Sequence, residues 1–285
     1  MPRPSKSKLK IVRDRSLLSV WWLFHRITTP WRMLPNFLIV GVMKGGTTSL
    51  FKYLALHPAV AAPLRKEIKF FDSNYTYGLG WYRAHFPLAL GAKKGLLTGE
   101  ASPYYIFHPT APERIRLALP QAKIIVLLRN PVERAFSHYQ HMARLGVEKL
   151  SFEEALDQEE SRLAGEVEKI TADARYSTAL HVRYSYVARG RYLEQLKKWY
   201  ALYPPEQILV LKSEDLSNTP AVIFQQTLGF LGLPAWNLNQ YDRHNKGAYQ
   251  EMLPATRERL MTYFKPYNHQ LYNFLGRDFG WEDVS

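Results

Sequence analysis

The sequence of 285 residues contains no cysteine, and this absence excludes disulfide bonds, thiolate metal ligands and a cysteine nucleophile. It has no apolar run long enough to cross a bilayer, since the apolar stretch at residues 17–24 is far too short. No cleavage site of small residues follows that stretch, so we expect no signal peptide and a cytoplasmic location. Acidic residues are scarce: 25 Asp and Glu stand against 38 Lys and Arg, and the net charge is +13. This excess predicts an anionic partner, such as a nucleotide, an acidic glycan, a nucleic acid or a membrane surface.

A hydrophobic content of 46% and an aromatic content of 14% are typical of a folded globular protein. The length suits one large α/β domain, which we assign to residues 36–285. Residues 1–35 are interpreted as a basic N-terminal arm followed by an aromatic helix that contains Trp21, Trp22 and Trp31. We expect this helix to pack on the domain, and the alternative is peripheral contact of the arm with a membrane surface.

The stretch at residues 37–56 has the pattern of a strand, a turn and a helix. Residues 37–42 form a short, uncharged run that predicts a buried strand. Gly45 and Gly46 break this run, and a helix is predicted from Thr47 to Leu56, stopped by Pro58. Such a turn directs backbone N–H groups and the positive end of the helix dipole towards one point. The pattern therefore predicts an anion-binding loop.

Lys44 adds a full positive charge to this loop, and Thr47, Thr48 and Ser49 add hydroxyl groups. The pattern is not a Walker A motif, because Lys44 precedes the glycine pair instead of following it. The simpler alternative is an ordinary strand–helix junction, in which the glycines serve only close packing.

A second phosphate-binding pattern follows the apolar run at residues 124–128, which predicts a central parallel strand. Arg129 ends the strand, Pro131 begins a helix, and Ser137 lies two turns into that helix. A guanidinium and a hydroxyl can together hold a phosphate. A nucleoside triphosphatase more often ends this strand with a Mg²⁺-binding aspartate, so the pattern favours direct cationic binding and no metal.

Glu67 lies among Arg65, Lys66 and Lys69. One interpretation is a solvated cluster of charges, as most such runs are. The other is a carboxylate close to the phosphate loop, kept ionised by its cationic neighbours and able to remove a proton. The residues alone leave both open.

The rest of the chain alternates between strand and helix patterns, which predicts a mostly parallel sheet with helices on both faces and ligands at the strand C-termini. An insertion that faces substrate is expected at residues 162–187, and His181 within it is interpreted as an ordinary surface histidine. The aromatic run at 77–82 is either packing or a sugar-stacking surface. The further elements are strands at 96–99 and 207–211 and helices at 110–119, 219–231 and 254–275, the last interrupted at Pro266.

Taken together, these motifs resemble the PAPS-dependent sulfotransferases, where PAPS is 3′-phosphoadenosine 5′-phosphosulfate, and most closely their heparan sulfate N- and 3-O-sulfotransferase branch. Residues 41–48 resemble the 5′-phosphosulfate loop, residues 128–139 the 3′-phosphate motif, and residues 245–249 the late Lys-Gly loop. The resemblance covers about residues 36–281 and makes 36–285 a single sulfotransferase domain. It implies a three-layer α/β fold like that of the P-loop NTPases.

The resemblance implies sulfuryl transfer from PAPS to a hydroxyl or amine of a saccharide, with PAP as product and no metal. Glu67 would be the general base and Lys44 the catalytic cation. The residues that would bind the nucleotide are Lys44, Gly45, Gly46, Thr47, Thr48, Ser49, Arg129, Ser137, Lys246, Gly247, Ala248 and Tyr249. Those on the acceptor side would be Lys66, Lys69, Asp72 and Ser102.

Three departures from the family pattern concern the acceptor. Ala101 stands where a lysine is usual, Lys69 replaces a common histidine, and a cysteine-bridged hairpin is absent while Ala248 replaces an arginine. The nucleotide assignment survives these changes, but the acceptor is not identified. A nucleotide or sugar kinase and a polyanion-binding protein without catalysis are the alternatives, and no nucleic-acid partner is expected.

Overall fold

The computed structural model describes residues 25–90, 93–176, 178–242 and 251–282. Within them lies one sheet of four parallel strands: β1 (Phe37–Gly41), β2 (Gly99–Ala101), β3 (Lys123–Leu128) and β4 (Ile208–Lys212). The strand order is β2-β1-β3-β4, so that Phe37 pairs with Gly99 on one side and with Lys123 on the other. The strands predicted at residues 37–42 and 124–128 are confirmed.

The second strand begins later than predicted. We expected residues 96–99, but β2 starts at Gly99, and Leu97 forms only an isolated bridge with Val60. A Cβ atom at Gly99 would lie 2.5 Å from the carbonyl oxygen of Phe37, so the strands approach closely where glycine permits it. The strand was predicted to begin too early because the prediction relied on the apolar residues, whereas the strands pair only from this close contact onwards.

The helices connect and cover the strands. They are α1 (Thr47–Ala55), α2 (Gly78–Arg83), α3 (Ala111–Ala118), α4 (Pro131–Arg144), α5 (Phe152–Asp157), α6 (Glu159–Leu163), α7 (Glu166–Ala172), α8 (Ala179–Arg183), α9 (Tyr192–Leu202), α10 (Ser213–Asn218), α11 (Pro220–Leu231) and α12 (Pro254–Leu275). None of the described helices is both long and apolar enough to cross a membrane.

The side chains of the central strands alternate between two cores, as the pleat requires. Leu38 and Val126 belong to a core that includes residues of α3 and α9. Ile39 and Ile125 belong to a second core, built with α1 and α11. Helices therefore cover both faces of the sheet, and the predicted three-layer α/β fold is confirmed.

Two predictions about individual residues were wrong. Helix α12 continues through Pro266 without interruption, because Phe264 and Leu271 on either side of the proline are buried and hold both halves of the helix. This packing outweighs the roughly 3 kcal/mol that an internal proline costs. His181 is not on the surface but is 2% exposed; its ring stacks on Phe107 at 4.4 Å, and Nδ1 lies 2.7 Å from the hydroxyl of Tyr104.

The expectation for the N-terminal arm falls largely on residues 1–24, which lie outside the described residues. The part that is described packs beside α2: the Nδ1 atom of His25 lies 2.9 Å from the carbonyl oxygen of Ala84, and buried Arg32 donates to that of Phe86. Trp31 is more than half exposed.

Candidate active site

The turn after β1 is held in place by the neighbouring strand. Val42 donates its backbone N–H to the carbonyl oxygen of Leu127 in β3, and Gly45 donates to that of Val42, both at 2.9 Å. A Cβ atom at Gly45 would lie 2.7 Å from the Leu127 oxygen, so only glycine fits. Gly46 is the N-cap residue of α1 at a φ of +89°, which glycine adopts without strain, and it has no side chain that could cap the helix. The turn is a narrow cradle beside an uncapped helix N-terminus.

Lys44 occupies this turn in the left-handed backbone region, with a φ of +71°. A non-glycine residue pays roughly 1–2 kcal/mol for this conformation, and such strain is concentrated at functional sites. The carbonyl oxygen of Lys44 accepts a hydrogen bond of 3.1 Å from Nη1 of Arg129, the residue directly after β3. The backbone carbonyl oxygen of Arg129 accepts a hydrogen bond of 2.7 Å from the hydroxyl of Tyr192. The two phosphate motifs predicted from the sequence therefore meet at the ends of adjacent strands.

Lys66 connects Glu67 to the first turn of α1, beside the cradle. Its Nζ atom lies 2.7 Å from Oγ1 of Thr48, in the first turn of α1, and also 2.7 Å from Oε1 of Glu67. Lys69 lies on the other side, with its Nζ atom 3.8 Å from Oε2 of the same carboxylate. The carboxylate of Glu67 is about one-third exposed, so it stays accessible beside the loop.

The candidate acceptor residues belong to the same segment or to the turn that supports it. Lys69 is exposed and has a φ of +55°, while its N–H donates to Oγ of Ser102 at 3.3 Å. Ser102 itself is buried. Asp72 is also buried; its Oδ1 accepts from the N–H of Ser73, whereas Oδ2 has no partner among the described residues. Burial raises the pKa of Asp72, since desolvation disfavours its ionised form.

The remaining candidates are in two places. Ser137 is buried in α4, the helix that Asn130 caps by accepting from the N–H groups of Val132 and Glu133. Lys246, Gly247, Ala248 and Tyr249 lie outside the described residues, so their prediction stays a prediction.

Sequence reasoning missed Glu100, the middle residue of β2, which is fully buried. Its carboxylate accepts four hydrogen bonds, from the N–H of Ile68 and from the hydroxyls of Tyr82, Ser102 and Tyr105, at 2.7 to 3.0 Å. Burial raises the pKa of Glu100 to about 7, and these donors partly oppose that shift. In the sequence, the only indication of this site was an acidic residue between a predicted strand and a Ser-Pro turn.

Arg189 is a second missed residue. It is almost fully buried, its Nη1 lies 3.2 Å from Sδ of Met43, and its guanidinium stacks over Tyr104 and Phe107. Burial lowers the pKa of Arg189 to about 10, which still leaves it charged at neutral pH. Nη2 of Arg189 also donates to the carbonyl oxygens of His181 and Val182. Because Met43 precedes Lys44, Arg189 connects the cradle to the insertion at residues 162–187.

The strand order sets the arrangement of these groups along one edge of the sheet. The segment that carries Glu67 is supported by β2, the cradle follows β1, and Arg129 follows β3. Neighbouring strands are about 4.8 Å apart, so the three parts lie within about 10 Å along the edge. Among the described residues, no group of three or more acidic or histidine side chains is placed to bind a metal ion.

The fold is that of a known enzyme class. The chain belongs to the sulfotransferase family, because a family profile described as a sulfotransferase domain matches residues 34–264. This identification confirms the predicted enzyme class.

Several individual sulfotransferases are similar to this chain over most of its length. The chain is 30% identical to the membrane-associated sulfotransferase kil1 of Dictyostelium discoideum, over 88% of this chain and 67% of that protein. It is 32% identical to heparan sulfate glucosamine 3-O-sulfotransferase 6 of Mus musculus, over 88% of this chain and 75% of the relative. Among solved structures, a sulfotransferase from Alicyclobacillus acidocaldarius is 32% identical with a TM-score of 0.70, over 88% of this chain and all of that one.

Proposed function

We propose that this protein transfers a sulfuryl group from PAPS to a hydroxyl or amine of a carbohydrate, with Glu67 as the general base. The observation that carries the proposal is the double contact of Lys66, which joins Thr48 of the cradle to Glu67. A carboxylate held beside an anion-binding loop can take a proton from an acceptor close to where a bound anionic donor would react.

The residues around the cradle fit PAPS. The close approach at Gly45 and the uncapped N-terminus of α1 suit the 5′-phosphosulfate, which N–H groups would bind. Arg129 suits the 3′-phosphate, since it is a half-buried cation at the next strand end, and buried Ser137 would help it. When bound, PAPS supplies an activated sulfuryl group on a phosphate leaving group.

Each residue then has one task. Glu67 takes the proton of the acceptor as its oxygen or nitrogen forms the new bond to sulfur. The bond from sulfur to the phosphate oxygen breaks, and the electron pair leaves with that oxygen. Lys44 and the N–H groups of Gly46 to Thr48 stabilise the charge on the departing oxygen, which is electrostatic catalysis by preorganised groups.

A carbohydrate acceptor is supported by the acceptor side and by the relatives. Lys69 is an exposed cation beside Glu67, and its ammonium group can donate hydrogen bonds to the oxygens of a sugar. The mouse relative is named for heparan sulfate glucosamine. Because Ala101 stands where the family usually has lysine, we propose the class of acceptor and no particular glycan.

The donor assignment can be tested by thermal unfolding with added nucleotide. A ligand that binds only the folded state must raise its melting temperature. We expect adenosine 3′,5′-bisphosphate to stabilise the wild type, Arg129→Ala to lose most of this shift, and Arg259→Ala, a mostly exposed arginine in α12, to keep it. Labelled PAPS with unsulfated heparosan then tests transfer. Stabilisation by ATP and Mg²⁺ alone would reject the proposal in favour of a kinase.

A further inference from the structure

The residues of β2 and of the turn that follows it form hydrogen bonds with the backbone of the segment at residues 66–71. The N–H of Ala101 donates to the carbonyl oxygen of Lys66 at 3.0 Å. Oε2 of Glu100 accepts from the N–H of Ile68 at 3.0 Å and from the hydroxyl of Ser102 at 2.8 Å. The segment thus rests on groups of a neighbouring strand, which are far from it in sequence.

Two further contacts extend this support. The hydroxyl of Tyr105 accepts from the N–H of Phe70 at 2.8 Å, and it donates to Oε1 of Glu100 at 3.0 Å. Oγ of Ser102 accepts from the N–H of Lys69 at 3.3 Å. Both hydroxyls therefore stand between the segment and Glu100, and the carboxylate is the common acceptor that orients them.

Glu67 itself lies directly before Ile68, whose N–H the carboxylate of Glu100 binds. The side chain of Glu67 points away from this support, towards Lys66 and Lys69, and is partly exposed. Its placement is therefore determined by the backbone on either side of it. A carboxylate that accepts four hydrogen bonds can fix several donors in one geometry, although its desolvation is costly.

We propose that Glu100 is a positioning residue for sulfuryl transfer: it holds the backbone at residues 66–71 so that the carboxylate of Glu67 faces the cradle. This rests on the function proposed above. Glu100 does not contact the nucleotide cradle itself, and it takes no proton from the acceptor. Its effect is transmitted through Ile68, Ser102 and Tyr105.

The chain offers a matched control in Glu148. This carboxylate is also buried, and it accepts from the hydroxyl of Tyr186, from the guanidinium of Arg162 and from the N–H groups of Lys149 and Leu150. It lies just after α4 and shares none of these hydrogen-bond partners with Glu100 or with the segment at residues 66–71. A loss that came only from disturbing a buried carboxylate would appear in Glu148→Gln as well.

The first experiment compares the kinetics of wild type, Glu100→Gln and Glu148→Gln with labelled PAPS and heparosan. Misplacing a catalytic group by about 1 Å costs on the order of 10²-fold in rate, so we expect kcat of Glu100→Gln to fall about 10- to 100-fold. The Kd for adenosine 3′,5′-bisphosphate should stay within about twofold of wild type. Glu148→Gln should keep its kcat. Wild-type kcat in Glu100→Gln, or equal losses in both variants, would overturn the proposal.

A second measurement separates this inference from the proposed function. Hydrogen exchange should show faster exchange of the amides at residues 68–71 in Glu100→Gln, with the amides of α1 unchanged. If the wild type neither binds the bisphosphate nor transfers a sulfuryl group, the proposed function fails, and the exchange result alone decides whether Glu100 holds the segment. Unchanged exchange at 68–71 would refute that role in either case.

Discussion

Lys66 is the residue through which the cradle and the segment of Glu67 meet. Its ammonium group is shared between Thr48 and Glu67 at 2.7 Å from each. Both charged side chains are partly exposed, and ion pairs of this kind contribute about 0–1 kcal/mol to folding. The contact therefore matters for geometry more than for stability, so substitutions here should affect catalysis and leave the fold intact.

Glu67→Gln should show this separation. Removing a general base typically costs 10²–10⁴ in rate, and we expect kcat to fall on that order while the melting temperature changes little. The bisphosphate should still bind, because the cradle is unaltered. The matched control is Glu194→Gln, which removes another salt-bridged but more exposed carboxylate and should keep full turnover. Turnover of Glu67→Gln within a few-fold of wild type would rule out the role as base.

At the scale of secondary-structure elements, the contact between the β1–α1 turn and β3 decides the shape of the cradle. The carbonyl oxygen of Leu127 accepts from Val42 and lies against the α-carbon of Gly45. The turn cannot move away from β3 without losing that hydrogen bond. Because the obstacle is backbone and not a flexible side chain, a larger residue at position 45 must displace the turn.

Gly45→Ala should therefore destabilise the protein by about 1–3 kcal/mol, the usual cost of overpacking, and weaken binding of the bisphosphate. The control is Gly229→Ala in α11, where an added Cβ meets no atom within 4 Å. In a helix interior this change is expected to stabilise by about 0.5–1 kcal/mol. Urea unfolding and calorimetric titration of both variants would measure these effects. Equal stability changes in the two variants would contradict the role of the Leu127 contact.

At the scale of the whole molecule, buried titratable groups make stability depend on pH. Burial lowers the pKa of His108 and of His181 to about 3, and lowers that of His138 well below its usual value. These histidines are neutral when folded but gain protons when unfolded below about pH 6.5. Each then costs up to about 1.4 kcal/mol per pH unit as the pH falls. Glu100 has the opposite effect on stability. Because its pKa is raised in the folded state, its protonation stabilises the folded protein as the pH falls from about 7 to 4.5.

Burial also lowers the pKa of His85 and His141 and raises the pKa of Asp72 and Glu159. Five histidines set against three carboxyl groups predict that the melting temperature falls between pH 7 and pH 5.5. His181→Phe, which keeps an aromatic ring beside Phe107, should reduce this fall, since one of the buried imidazoles is gone. Differential scanning calorimetry of wild type and variant at both pH values is the measurement. A wild type that melts at the same or a higher temperature at pH 5.5 would show that the histidines do not dominate.

The sequence by itself determined the local patterns of this protein. Glycine and lysine after an apolar run predicted the cradle, Arg129 after the next central run predicted the second motif, and the alternation of elements predicted the three layers. These features depend on neighbours within a few residues, so they can be read along the chain. The strand order, which brings the motifs to one edge, followed from pairing between distant segments.

Only the tertiary structure decided the support around Glu67. Glu100 meets Tyr82 and Ile68 across 18 and 32 residues, and Arg189 meets Met43 across 146. His181 was predicted to lie on the surface because its segment has scattered charges and no clear pattern, yet Phe107 and Tyr104 pack against it. Burial and hydrogen bonding depend on which distant groups share a space, and no local pattern carries that information.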